Sequence, residues 1–403
     1  MSTSQPATAI RSLGSLEQLF AAYGQAGAMV FSIAAQVNRQ VSRSTLESAI
    51  NSIALRHPLL QASIGLNDEG VSSFLTSAMP ISVSIETGSI LSWPQVAARE
   101  VASPLQASSG PLVRVRAITD KASTVLVISF HHSAADGVSA ITVLRDLLTA
   151  IAGGHLEAGK VPDSLDTLLG REPELFKCGV SPETDAGIER HFQDVAVTAV
   201  EFDRSEATRL FGAAKKHGVS VHSMLTVALT RAHFAVSTET GGKSFSVMSP
   251  IDLKPMLGVA DDTGLHLSIG IVPFENIESE FWTAAEAVGD KLKSLRSPTA
   301  ASGFLAAISK PLHADVSMEA TAKRLVANVP YDGVMTNLGV LNLSHRYGDL
   351  VLERVWAPVL RSLPGQDVVA AATFGGVLSL VQTSVGEPNG LIQKMAQILR
   401  SLD

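Results

Sequence analysis

The stretch His131-His132-Ser133-Ala134-Ala135-Asp136-Gly137 joins two runs of different periodicity. Before it, residues 123–130 read Ser-Thr-Val-Leu-Val-Ile-Ser-Phe, a β-branched, apolar segment suited to a buried strand. After it, Val138, Ile141, Leu144, Leu148 and Ile151 recur every three or four residues, the inner face of a helix. Two imidazoles therefore stand where a strand ends and a helix begins, a place where α/β folds commonly hold reacting groups. Asp136 suits the cap of that helix, and Gly137 gives a permissive backbone beside it.

Working outward, residues 11–23 place Leu16, Leu19, Phe20 and Tyr23 on one helical face, and residues 28–35 read as a strand. Ser44 and Glu47 have the spacing of a capping box, opening a helix that Pro58 must end. Short strands are expected at 59–64 and 81–85, a helix at 94–101, and a half-exposed strand at 112–118. Residues 153–194 lose all sustained periodicity and contain Pro162, Pro173 and Pro182, so we read a connection between halves there. The second half restarts with a strand at 195–202 and a helix opened by Asp203 or Ser205. Further helices are expected at 221–234, 280–295 and 391–399. Strands are expected at 245–253, 267–272, 334–338, 350–356, 368–374 and 378–382. The fold class is thus α/β with mixed α+β sheets, in two halves of strand-rich layer and helices. The lobes are placed at residues 1–175 and 195–403, with 176–194 as the linker proper.

A chain of 403 residues with 46% hydrophobic and 17% charged side chains suits two well-buried domains. Its net charge of −7 gives no footprint for nucleic acid. One cysteine, Cys178, rules out an internal disulfide or a cysteine metal cluster and fits a reducing compartment. No charged-then-apolar leader opens the sequence, and no run is long enough to span a bilayer, so a cytoplasmic protein is expected.

Adjacent histidines at a strand end point to opposite sides and would not converge on one metal, and no His-Glu-x-x-His occurs. No Gly-x-Ser-x-Gly elbow supports a serine hydrolase. A histidine bonded to backbone in the core is the ordinary alternative, but the pair followed by Asp-Gly favours chemistry. The simplest is a single general base: a neutral imidazole takes a proton from an alcohol as its oxygen attacks an acyl carbon, then protonates the leaving thiolate. A thioester is already activated, so no acyl-enzyme is needed. Asp136 is expected to hold the loop by pairing with a basic group elsewhere in the fold.

His-His-Ser-Ala-Ala-Asp-Gly resembles the His-His-x-x-x-Asp-Gly motif of the superfamily of chloramphenicol acetyltransferase, plant acyltransferases and nonribosomal peptide condensation domains. The chain looks most like the polyketide-associated acyltransferases, the group that includes phthiocerol dimycocerosyl transferase. The helix at 11–23, Arg56-His57-Pro58-Leu59-Leu60, Ser249-Pro250-Ile251-Asp252-Leu253-Lys254 and Thr336-Asn337-Leu338-Gly339 resemble further stretches of these enzymes, and the likeness covers nearly the whole length. It implies two similar lobes around a central tunnel, with His132 as base, His131 as supporting neighbour and Asp136 as a structural partner of an arginine. Lys254 stands where many relatives carry that arginine, a point charge in place of a planar fork. Arg11 is the other candidate partner.

Thr336 and Asn337 could donate to a developing oxyanion, although Asn-x-Gly also belongs in turns. Lys215, Lys216 and His217 complement a helix end, and Lys291, Lys293 and Arg296 read as a solvated face. His57, His222, His233 and His266 read as structural, and Gly241-Gly242 as a loop. The leading expectation is an O-acyltransferase using acyl-CoA or an acyl carrier protein thioester as co-substrate, with no resident cofactor or metal. Its acceptor would be a polyketide-like or other specialised alcohol. Amide formation between carrier-bound substrates is the second reading, and a non-catalytic carrier- or ligand-binding homologue the third.

Overall fold

Thr124–His131 is buried at every position and runs through the middle of a mixed sheet, which is why its sequence shows no polar alternation. The computed structural model describes residues 7–27, 29–172, 176–177, 195–237, 244–275, 279–312, 317–361, 363 and 365–402. Cys178, Gly241, Gly242, Pro173, Pro182 and all but Phe176 and Lys177 of the expected linker lie outside the described residues.

In chain order the first half contains β1 (Ala9–Ser12), α1 (Ser15–Gln25), β2 (Val30–Val37), α2 (Arg43–Arg56), β3 (Ala62–Leu66) and β4 (Ser72–Thr76). It continues with β5 (Ser82–Thr87), α3 (Trp93–Ala102), β6 (Val113–Thr119), β7 (Thr124–His131) and α4 (Gly137–Ile151). The second half contains β8 (Val195–Phe202), β9 (Phe245–Asp252), β10 (Leu267–Phe274), β11 (Gly333–Val340), β12 (Arg346–Tyr347), β13 (Leu350–Val355), β14 (Val359–Leu360), β15 (Asp367–Phe374) and β16 (Val377–Val385). Helices Arg204–Lys216, Val221–Val236, Phe281–Ser294 and Leu391–Arg400 cover one face of its sheet through Leu210, Leu225, Val288 and Met395.

The first sheet has the order β12-β13-β2-β7-β6-β5, with β14 also on β2, and the second has β10-β9-β11-β15-β16-β8. Both are mixed: β5 runs parallel to β6, and β11 runs parallel to β9 and to β15. β1, β4 and β3 form a small third sheet. The outcome is a two-lobed mixed α/β fold.

Two segments cross between the lobes. β13 and β14 come from the second half but pair with β2, Val355 opposite Ala35 and Leu360 opposite Phe31. The expected strand at 350–356 therefore forms, yet in the first lobe's sheet. Reciprocally, Leu16, Leu19 and Phe20 of α1 pack in the core of the second lobe. The lobes also share a core: Ala370, Ala372 and Phe374 of β15 pack with the first-lobe residues, and Trp93 stacks on Trp356 at 4.5 Å. Strand alternation explains the double duty of β15, since Val369 and Ala371 face the helices instead.

Local details correct several expectations. Ser42, not Ser44, caps α2, its hydroxyl accepting from the Thr45 N–H at 3.1 Å. Residues 58–61 form a 3₁₀ turn before β3. β4, Pro298–Ser309 and Met318–Ala327 were not expected, because Ser-rich and Ala-rich runs carry little periodic signal. The alternation at 112–118 is real: Arg114 and Arg116 leave β6 on one side to hold Glu100 of α3, whose pKa burial pushes up but the two guanidinium groups bring below the usual range. Among the described residues, no helix is long and apolar enough to cross a membrane.

Candidate active site

His132 follows the last residue of β7 and is tied back by its own N–H, which donates to Met29 O at 2.8 Å. Its half-buried ring lies edge-on to Phe20 of α1, centroids 4.9 Å apart, and tilted over Phe31 of β2 at 4.5 Å. The Nδ1 atom is buried with no hydrogen-bond partner among the described residues. Burial pushes the His132 pKa down, partly opposed by the Asp136 charge and by the backbone of His132 and Ala135; the net direction is downward. The imidazole is therefore neutral at neutral pH, the state a base requires.

His131 faces elsewhere. Its N–H donates to Leu112 O at 2.8 Å, and its Nδ1 accepts from the Ser133 N–H at 3.3 Å. The ring lies so close to Gly24 of α1 that a Cβ there would stand 2.6 Å from Nε2. Burial, helped by His132, lowers its pKa to about 4. Phe20 and Gly24 are one helical turn apart, so a single face of α1 backs both imidazoles.

Asp136 caps α4: Oδ1 accepts from the Ser139 N–H at 2.7 Å. The same carboxylate meets the second half on two sides. Lys254 Nζ is 3.3 Å from Oδ1, and the His266 N–H donates to Oδ2 at 3.0 Å. Lys254, only 1% exposed, also donates to Ser139 Oγ at 2.5 Å and to Asp262 O at 2.6 Å. Burial raises the Asp136 pKa, but Lys254 and the two N–H donors more than reverse it, so the group stays ionised. Arg11, the other candidate partner, is committed elsewhere: it grips Glu17 at 2.6 and 2.7 Å and Pro162 O at 2.8 Å.

The segment from Lys254 to His266 continues across α4 to a second anchorage that sequence reading missed. Thr263 Oγ1 lies 3.2 Å from His57 Nδ1, whose Nε2 is 3.0 Å from Asp146 Oδ2. Arg145 bridges Asp146 at 3.1 Å and Asp261 at 3.2 Å. His57 sits where α2 ends before Pro58; the missing signal was pairwise and spatial, since Asp146 and Thr263 are distant in sequence.

Between the lobes lies a cavity of ≈ 580 Å³, open at its mouth, with His132, Asp136 and Gly137 on one side and Pro250, Asp252, Thr336 and Asn337 on the other. Strand alternation places them: Pro250 and Asp252 face away from the helices, whereas Val247 and Ile251 enter the helix-side core. Asn337 Oδ1 accepts from the Gly339 N–H at 2.9 Å, so its carbonyl serves the turn. Leu338 crosses over Gly137, where a Cβ would lie 2.8 Å from Leu338 Cδ2; the absent side chain is what admits it. The cavity thus brings His132 together with Thr336, Asn337 and Asp252. His222, on Ser249 Oγ at 2.9 Å, and His233, on Asp367 at 2.7 Å, do not line it.

Residues 20–164 match the condensation domain family. Residues 192–373 match the family described as phthiocerol/phthiodiolone dimycocerosyl transferase C-terminus. Among solved structures, polyketide synthase associated protein 5 from Mycobacterium tuberculosis is similar at TM-score 0.68 and 15% identity, over 99% of this chain and 98% of that one. The trichothecene 15-O-acetyltransferase TRI3 from Fusarium sporotrichioides gives 0.69 at 11%, over 97% and 94%. F. graminearum TRI101, solved with ethyl coenzyme A, gives 0.63 at 15%, over 94% and 95%. In sequence, HC-toxin synthetase from Cochliobolus carbonum is 27% identical over 157 residues, 37% of this chain and 3% of that synthetase.

Proposed function

We propose that this protein is an O-acyltransferase that moves an acyl group from a coenzyme A or carrier-protein thioester to a hydroxyl. The observation that carries the reading is the neutral His132 imidazole on the wall of the inter-lobe cavity. His132 removes the acceptor's proton as its oxygen bonds to the thioester carbonyl carbon. The resulting oxyanion sits opposite, near Thr336 and Asn337, whose hydroxyl and amide N–H groups can donate to it. Collapse breaks the carbon–sulfur bond, and the thiolate takes the proton back from the imidazolium. The products are an ester and a free thiol, with no acyl-enzyme. Asp136 touches no reacting group; paired with Lys254, it fixes the turn that presents His132. The lobe limits of 1–175 and 195–403 are part of this proposal, with the site formed between them.

Thiol release from acetyl-CoA or an acylated carrier protein, measured with a panel of alcohols, tests the reading. His132→Ala should lower the rate about 10²–10⁴-fold with an unchanged melting transition. A folded variant of undiminished activity would end it. The match of residues 20–164 to condensation domains favours amide formation as a second reading. Offering amine and alcohol acceptors together and weighing the products separates the two.

A further inference from the structure

The catalytic cavity does not stop at His132. Val138, Asp252 and Leu338 line it and also line an outer cavity of ≈ 730 Å³ that runs along α4 towards Arg145 and Asp261. The outer walls mix aliphatic side chains, Ile141 and Leu341 among them, with the polar Thr142 and Asn342, and Val340 stands 75% exposed at the rim. Arg145 is the cation of that lining, and it is held by Asp146 and Asp261. Two carboxylates therefore face a path whose positive charge is already matched.

Resting on the acyl-transfer reading, we infer that this cleft is the approach path of the acceptor, and that Asp252 selects acceptors bearing a hydrogen-bond donor and no negative charge. Asp252 is at the junction of the two cavities, with its side chain open to them. Among the described residues, its Oδ1 accepts the backbone N–H of Lys254 at 3.0 Å. Burial, helped by Asp136, holds the Asp252 pKa above the usual range against the Lys254 N–H and the Lys254 and His266 charges, so a further donor or cation brought beside it is stabilised. A phosphate-bearing thioester arm would meet like charge along the same route, with no unmatched cation among the described lining residues to receive it. An aliphatic alcohol or amino-alcohol meets compatible walls and a carboxylate acceptor.

Binding, rather than turnover, tests this, so the result does not depend on catalysis. Octanol, amino-octanol and hydroxy-octanoate share one chain and differ in charge, and their affinities for the full chain can be compared by calorimetry. The neutral and cationic probes should bind at least tenfold more tightly than the anionic one. Asp252→Asn should shrink that preference to less than threefold. Val340→Trp, a rim substitution at an exposed site, should weaken all three and serves if Asp252→Asn is unstable. Equal binding of the anion, indifference to both substitutions, or no binding up to the solubility limit would overturn the inference. Activity surviving in His132→Ala would instead overturn the acyl-transfer reading while leaving the binding result standing.

Discussion

Lys254 and Asp136 meet across the lobes, Nζ 3.3 Å from Oδ1, with both residues almost wholly enclosed. Removing one partner strands the other charge. Lys254→Ala should therefore cost about 3–5 kcal/mol, read as a fall in the denaturation midpoint. Lys254→Arg keeps the charge but must fit a fork where a single ammonium now reaches Ser139 and Asp262, so a smaller loss is expected. The double variant Asp136→Asn, Lys254→Met should be more stable than Lys254→Ala alone.

Gly137→Ala would set a Cβ 2.8 Å from Leu338 Cδ2. Leu338 is partly exposed to the cavity and can swing, so the stability cost should be about 1 kcal/mol, low for added bulk in a packed site. The displaced side chain, however, must enter the space before His132. Activity should fall about tenfold, by the cost of a small misplacement at a reacting centre. Adding Leu338→Ala should recover stability, and calorimetry with steady-state kinetics reads both effects.

His131 and His222 both have pKa values lowered to about 4 by burial, against an unfolded value near 6.5. The unfolded chain then binds more protons below pH 6.5, so stability is full above that value and is lost as pH falls towards 4. The loss traceable to His131 is on the order of 3 kcal/mol at the low end. Asp136 stays ionised across this window, because its own pKa is lowered below the carboxylate range. Denaturant titrations at pH 7 and pH 5 should show the drop, and a folded His131→Asn variant should show less of it.

The same sign governs catalysis. Since burial lowers the His132 pKa, the acid limb of kcat/KM should have its midpoint below 6.5, the value for an unperturbed imidazole. A limb at or above 6.5 would contradict the surroundings described for the ring.

Thr263→Val removes one hydrogen bond to His57 and should cost about 1 kcal/mol. Asp146→Ala strips His57 and Arg145 of their shared partner and should cost more, about 2–3 kcal/mol. Both should raise hydrogen exchange in residues 254–266, the segment those contacts fasten to α4.

Much of the fold was legible because its signals are local. The β-branched run before His131 could only be a covered strand, the spacing from Val138 to Ile151 could only bury one helix face, and Asp136 at the junction is where a cap belongs. His132 was legible for the same reason, as part of a contiguous motif. Asp252 was within view, in the stretch ending at Lys254, but nothing in that stretch says which side of β9 faces a cavity. Ser44 was read as the cap because Glu47 stands three residues after it, whereas Ser42 has Thr45 at that spacing; only the backbone geometry shows that Ser42 is the cap.

The amino-acid sequence by itself determined the order of strands and helices, the junction carrying the two imidazoles, and the matches of residues 20–164 and 192–373 to the condensation and dimycocerosyl-transferase family models. Tertiary structure decided which sheet each strand joined, sending β13 and β14 back to β2 and α1 forward into the second core. It also chose Lys254 over Arg11 as the partner of Asp136. The physical reason is range: hydrophobic period and capping act over a few residues, whereas strand pairing and the matching of buried charges are settled between segments far apart in the chain, when the whole core closes.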